Sequence, residues 1–353
     1  MKKILSVLTF SLLMLTSVNA QTLEETLQNL SKDAASAYVN PIISGFGANL
    51  NTGWMHRVPS AKFFGIDLEF GVIAMATMFN DENKAFTANG NFRFDRAQAE
   101  QLIPSSYSGS LRTAMINEIV SRDFAVDISG PTIVGKKDDS VVVTFPGQNI
   151  SVTGFPGSYP IPTKVIGTPV KGFLEDATAL PLFLPQISIG TIYGTSVALR
   201  YLPAIDLADL GEFSYFGIGA MHNPGIWFPN PLPVDLAVGF FTQNLDVGDI
   251  FSAKSTSFGL YASRSFGFSL LNITPYAGFG FESSNVTIKY TQKLELTAVP
   301  GSVTEFPIEF EMEGKNKSRI ILGASLKLLA INLNVDYNIS EYNTISGGIG
   351  IIF

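Results

Sequence analysis

The sequence predicts an all-β fold: a transmembrane antiparallel β-barrel of about 12–14 strands, with an N-terminal plug helix and a long inserted cap loop. Three observations predict it. Stretches of alternating apolar and polar residues recur along the chain, and many are longer than globular strands, which average about five or six residues. The chain is 46% hydrophobic with 28 Phe, yet only 15% charged. After the first twenty residues no apolar run reaches the 18 or so that a spanning helix needs, which argues against a helical membrane protein.

The N-terminus gives the compartment. Lys2 and Lys3 precede the apolar stretch Ile4 to Leu15, and Val18-Asn19-Ala20 follows with small residues. Residues 1–20 therefore read as a signal peptide cut before Gln21, leaving 21–353 as the outer-membrane barrel domain of an exported protein. The chain has no Cys. That excludes a lipid-anchored cysteine, disulfides, thiolate metal sites and cysteine nucleophiles. A net charge of −7 argues against nucleic acid as a partner.

Period-2 alternation defines the strands. In 331–340, Ile331, Leu333, Val335, Tyr337 and Ile339 face one way, and Asn332, Asn334, Asp336, Asn338 and Ser340 the other. In 62–78, Phe64, Ile66, Leu68, Phe70 and Val72 oppose Gly65, Asp67, Glu69 and Gly71. Segment 317–328 sets Ile320, Leu322 and Leu326 against Arg319, Gly323 and Lys327. Segment 186–201 sets Ile187, Ile189 and Leu199 against Ser188, Gly190 and Arg200. In 45–58, Phe46, Leu50, Trp54 and Val58 oppose Gly45, Gly47, Asn49 and Arg57. Further strands are expected at 85–94, 140–153, 212–222, 234–245, 252–268, 272–290 and 343–353, with 304–313 a strand or part of an extramembrane hairpin. A phase slip between Phe281 and Val286 suggests a bulge or a bend out of the membrane there.

Two segments break the pattern. Leu23, Leu27, Leu30, Ala34 and Tyr38 recur at helical spacing, so 22–39 reads as an amphipathic helix, either a plug or a periplasmic tail. Residues 95–184 form a long insertion or cap. A helix is expected over 107–122, 146–185 is rich in Pro and Gly, and one strand is expected within 95–184, a cap or inward-folded loop.

The chain ends in an alternating strand with Ile345, Ile349, Ile351 and the terminal Phe353 on one face. This is similar to the C-terminal signal by which outer-membrane proteins engage the barrel-assembly machinery, the expected protein partner beside membrane lipid. The N-terminal helix, Gly45-Phe46-Gly47-Ala48-Asn49-Leu50-Asn51-Thr52-Gly53-Trp54 and the closing hairpin 317–353 resemble Bacteroidetes-type outer-membrane barrels, distantly similar to long-chain fatty-acid transporters. The resemblance covers most of the mature chain through degenerate patterns. It implies a barrel with an N-terminal plug and a hydrophobic small molecule as cargo. Asn40-Pro41-Ile42 departs from the Asn-Pro-Ala plug motif of that family, so the fold carries over better than the substrate.

The candidate lumen-lining or ligand-binding residues are Arg57, Asp67, Glu69, Met75, Arg200, Tyr261, Tyr276, Glu282, Arg319, Lys327 and Asp336. A charge on the lipid face costs roughly 2–4 kcal/mol at the midplane, so the charged members are expected to point inward. There they form either a wall-stiffening network or a selectivity site. Ile73, Phe241 and Met55 share that register and give the lumen an apolar patch suited to an amphipathic ligand. Trp227 and Phe228 suit a membrane interface. His56, on the lipid-facing register, and His222, before a turn, have no recognisable catalytic partners, and no metal-ligand spacing occurs. The sequence thus predicts no enzyme, no cofactor and no metal. It leaves two functions open: a channel or transporter for a hydrophobic or amphipathic small molecule, or a barrel that scaffolds a surface or secretion complex.

Overall fold

A computed structural model describes residues 32–174, 177–206, 211–230, 232–295 and 303–353. The predicted signal peptide and residues 22–31 of the predicted helix lie outside them. Helix α1 (Lys32–Leu50) leads to β1 (Phe64–Met78) and β2 (Ala85–Phe92), then helices α2 (Arg96–Leu102) and α3 (Gly109–Val120). Five short strands follow: β3 (Phe124–Pro131), β4 (Ser140–Phe145), β5 (Gln148–Val152), β6 (Phe155–Ile161) and β7 (Lys164–Lys171). The long strands are β8 (Ala179–Ile192), β9 (Thr195–Asp206), β10 (Glu212–His222), β11 (Asp235–Val247) and β12 (Phe251–Ser263). The chain closes with β13 (Phe266–Phe268), β14 (Leu271–Glu295), β15 (Val303–Glu313), β16 (Ser318–Leu328), β17 (Ile331–Ile339) and β18 (Thr344–Ile352).

The chain divides into two compact units, one of Ile42–Phe79 and Thr178–Phe353, the other of Asn80–Ala177 with helix residues up to Pro41. The first is a barrel. Its twelve-stranded sheet runs β12-β11-β10-β9-β8-β1-β18-β17-β16-β14, and the pairing of β12 with β14 closes the ring. Ten strands form the ring, all antiparallel, while β13 and β15 pair only with β14. The sheet thus has twelve strands, within the expected 12–14, but the closed wall has ten. The surplus comes from 85–94 and 140–153, which alternate well but build the other unit.

Facing follows the alternation. On β17 the residues Ile331, Leu333, Val335, Tyr337 and Ile339 are exposed, and Asn332, Asp336 and Asn338 are buried. On β14 the register with β12 is continuous from Tyr276 to Ile288. The expected slip between Phe281 and Val286 is therefore absent. Hydropathy swaps faces there instead: outward Phe279 and Phe281 give way to outward Ser283 and Asn285, while Val286 and Ile288 point inward.

Residues 186–201 are two strands, not one. Tyr193 and Gly194, both at positive φ, make the turn of a hairpin. The register shifts between Ile189 and Ile192, and that irregularity lets pairs such as Ile187 with Leu199 join odd residues to odd, so the period-2 pattern resumes after the turn. Gly is needed at 194, where a Cβ would lie 2.8 Å from the Asn223 carbonyl oxygen at φ +68°.

The predicted strand 45–58 does not form. Residues up to Leu50 belong to α1, and 51–63 are an irregular descending segment. Phe46, Leu50, Trp54 and Val58 recur every four residues, a spacing that fits one face of a helix as well as one face of a strand.

The second unit holds the antiparallel sheet β2-β3-β4-β7 and the hairpin β5–β6. Phe94, Phe124 and Phe145 form its aromatic core, with ring centroids 5.7–6.0 Å apart. Asp95 caps α2 reciprocally with Gln98. The buried Tyr38 hydroxyl donates to the Lys171 carbonyl at 2.9 Å, and burial pushes its pKa well above the ordinary range. The expected helix over 107–122 is α3. The single strand expected inside 95–184 is instead five, short and interrupted by proline. Pro156 and Pro160 are tolerated because β6 pairs on one side only, with β5.

Candidate functional site

The barrel has a lower rim at Phe64, Ile192 and Phe353 and an upper rim at Met78, Ala179 and Thr344. Residues 45–63 run from upper to lower through its interior, and the contacts descend in order. At the top, the Thr77 hydroxyl donates to the Gly45 carbonyl at 2.8 Å, and Asn49 Nδ2 to the Leu180 carbonyl at 2.7 Å. Next, Gln243 Nε2 donates to Asn51 Oδ1 at 2.6 Å, and the Thr52 and Thr344 hydroxyls meet at 2.8 Å. Mid-barrel, Trp54 stacks on Phe241 at 5.2 Å. Lower, the Val58 amide donates to Ser263 at 3.1 Å, and Asn223 to the Pro59 carbonyl at 2.8 Å. Strands on every side of the ring are engaged, so this segment spans the lumen.

Two wall arginines hold it. Arg319 on β16 pairs with Glu282 on β14, with Nη2 2.6 Å from the carboxylate and both side chains almost wholly buried. It also donates from Nη2 to the Ala48 carbonyl at 2.9 Å and from Nη1 to Asn338 at 3.2 Å, and its Nη1 bonds the Thr52 hydroxyl. Arg200 on β9 is fully buried. Its Nε donates to Gln186 at 2.8 Å and its Nη1 to the Thr52 carbonyl at 3.0 Å, while its guanidinium lies 4.0 Å over the Trp54 ring. A desolvated cation–π contact of this kind contributes about 2 kcal/mol. Gly217 makes room for that ring: a Cβ there would lie 3.0 Å from Trp54.

The remaining candidates fall into three groups. Tyr276 donates to Asp336 at 3.0 Å, and Asn338 donates to the same carboxylate. Glu69 accepts from Asn332 at 3.0 Å and bonds His56 Nε2 at 2.9 Å. Arg57 sits 2.8 Å from Asp67 and 3.5 Å from Glu69, and both Arg57 and Asp67 are partly exposed. Met75 and Tyr261 are buried inward, whereas Lys327 is half-buried near the lower rim. His56 corrects the expectation of a lipid-facing histidine. Residues 51–63 are not a strand, so it carries no wall register and points into the lumen.

Trp54, Met55, Val58, Phe241, Tyr261 and Tyr276 belong to one buried apolar cluster inside the barrel. Between this cluster and the lower rim lies a cavity of about 150 Å³, bordered by His56, Arg57, Asp67, Gln186 and Asp235. Pockets for drug-sized ligands measure about 300–1,000 Å³. The cavity as it stands is smaller than such a molecule needs.

Asn51, Thr52, Gln186, Gln243, Asn332 and Asn338 were not candidates from sequence. They are neutral, and each bonds another side chain: Gln243 to Asn51, Gln186 to Arg200, Asn332 to Glu69, Asn338 to Asp336 and Thr52 to Thr344. The alternation that placed Arg200 and Asp336 inward also places Gln186, Gln243 and the two asparagines there.

No curated protein matches this chain. Solved structures similar to it include a loop-deletion mutant of the outer-membrane protein OmpT of Vibrio cholerae, at 9% identity over 82% of this chain and 99% of that one, TM-score 0.24. The transport unit of the autotransporter AIDA-I from Escherichia coli is 6% identical over 89% and 98%, TM-score 0.26. A porin is 12% identical over 82% and 100%, TM-score 0.19. Scores this low decide nothing about activity, and the barrel assignment rests on the closed ladder of ten strands. A family model matches from residue 1 to residue 353, and the chain belongs to that family, the family of unknown function DUF6588.

Proposed function

We propose that the protein is an outer-membrane channel for an amphipathic small molecule, closed at rest by residues 45–63. The membrane reading rests on the outward face. On β14 it is apolar from Leu271 to Phe281, about the nine to eleven residues that a tilted strand needs to cross the hydrocarbon. Exposed Phe64, Tyr193, Trp227, Phe228 and Phe268 at the lower rim suit an interfacial aromatic belt. β18, ending in Phe353, suits recognition by the barrel-assembly machinery, and residues 1–20 suit export.

One observation carries the channel reading: the upper part of the plug, residues 45–55, is neutral. From Ala34 to Met55 the chain has no Asp, Glu, Lys or Arg. The wall arginines hold it chiefly through carbonyl and hydroxyl oxygens of Ala48 and Thr52. When this upper part shifts, Arg319 keeps Glu282, and Glu69 keeps His56 and Arg57 as long as the lower part stays in place. A hydrogen bond to a charged donor contributes only about 1.5–3 kcal/mol, and water or a ligand's polar head can replace it. The aromatic cluster around Phe241 and Tyr261 would then receive the apolar tail.

The small cavity favours a second reading, a closed barrel that only scaffolds a surface complex. A Thr52→Cys/Thr344→Cys pair in this cysteine-free chain separates the two. We expect uptake of an amphipathic fluorophore into proteoliposomes when the pair is reduced, and its loss on oxidation. Equal permeability in both states rejects the channel and leaves the scaffold.

A further inference from the structure

We propose that this barrel is threaded by its own N-terminal segment and displays residues 32–41 on the outer face of the membrane. The inference rests on the outer-membrane reading above. Its basis is the ordered descent of contacts. Gly45 and Asn49 bond the wall at Thr77 and Leu180, on the upper rim. The Phe46 ring lies 5.0 Å from Phe251, at the upper end of β12. Thr52 and Trp54 bond mid-barrel, and His56 meets Glu69 below them. Lys62 and Phe63 accept backbone bonds from Gly194 and Tyr193 at the lower rim. The chain thus enters the lumen from above, leaves it below and only then begins β1. α1 carries Pro41 inside it, and its residues 42–50 belong to the barrel unit, so the chain comes to the lumen from the upper rim.

The connections orient the barrel. Two are two-residue turns at the lower rim, 193–194 and 329–330. The longest excursions leave from the upper rim: residues 80–178 between β1 and β8, and the β14–β15 extension beyond Phe281. Barrels of this kind keep short turns in the periplasm and long loops outside. The lower rim with Phe353 is then periplasmic and the upper rim external. Backbone crosses hydrocarbon only as a closed ladder or a helix, or where protein shields it, so the route of residues 45–63 is the lumen itself.

Three single-cysteine variants of the full chain test this: Asp33→Cys, Glu341→Cys at the upper rim and Lys62→Cys at the lower rim, all exposed positions. Each is treated on intact cells with a membrane-impermeant maleimide, then again after the outer membrane is permeabilised. We expect Asp33→Cys and Glu341→Cys to label on intact cells, and Lys62→Cys only after permeabilisation. Labelling at 341 but not at 33 overturns the threading while leaving the membrane barrel in place. Labelling at 62 but not at 341 overturns the orientation. Recovery of all three in the soluble periplasmic fraction overturns the outer-membrane reading on which the proposal rests.

Discussion

Arg319 and Glu282 meet inside the barrel from adjacent strands, 2.6 Å apart, with 3% and 1% of their side-chain surfaces exposed. The same guanidinium reaches the Ala48 carbonyl of the plug. One buried pair thus ties two wall strands to the segment that fills the lumen.

Replacing one partner strands the other. Glu282→Gln is expected to lower the stability of the folded barrel by about 3–5 kcal/mol, the cost typical of breaking a buried pair. Urea unfolding in lipid vesicles measures this. Glu282→Gln/Arg319→Met should recover most of the loss, because neither charge remains buried. A loss under about 1 kcal/mol would place the pair with solvent-screened surface bridges.

The outward band predicts a contrast between two arginine substitutions. Val335 lies at the middle of outward-facing β17, 53% exposed. Val335→Arg should cost about 2–4 kcal/mol in vesicles. Ser283→Arg, beyond the last outward aromatic of β14, should stay within about 0.5 kcal/mol. Equal costs at the two positions would mean that the apolar band is misplaced.

Trp54 anchors the plug on Phe241 and beneath Arg200. Trp54→Ala should cost about 3–5 kcal/mol, as large core aromatics do, and raise single-channel conductance in planar bilayers. Trp54→Phe keeps the stack and should conduct like the native protein. A Trp54→Ala barrel that assembles but conducts no more than the native one would count against the plug as a gate.

The sequence made the facing of the wall strands in 62–78, 317–328 and 331–340 legible because facing depends only on period 2 and the contrast between outside and lumen. Asn332, Asp336 and Asn338 were placed inward from ten residues of local pattern, and Arg200, Glu282 and Arg319 in the same way. Ring membership was not legible. Residues 85–92 and 140–145 alternate as cleanly as wall strands, but sheet partnership depends on which distant strand each meets. Residues 45–58 misled because a four-residue spacing satisfies helix and strand alike, and His56 was misplaced with them.

By itself, then, the sequence determined an alternating wall with an apolar exterior and a partly charged interior. Only the tertiary structure decided what fills that interior. The plug is held largely through the carbonyl oxygens of Gly45, Ala48, Thr52 and Pro59. Every residue carries such an oxygen, so no side-chain pattern marks the segment that arginines will hold. That choice is made when the ring closes and buried guanidinium groups must find acceptors within reach.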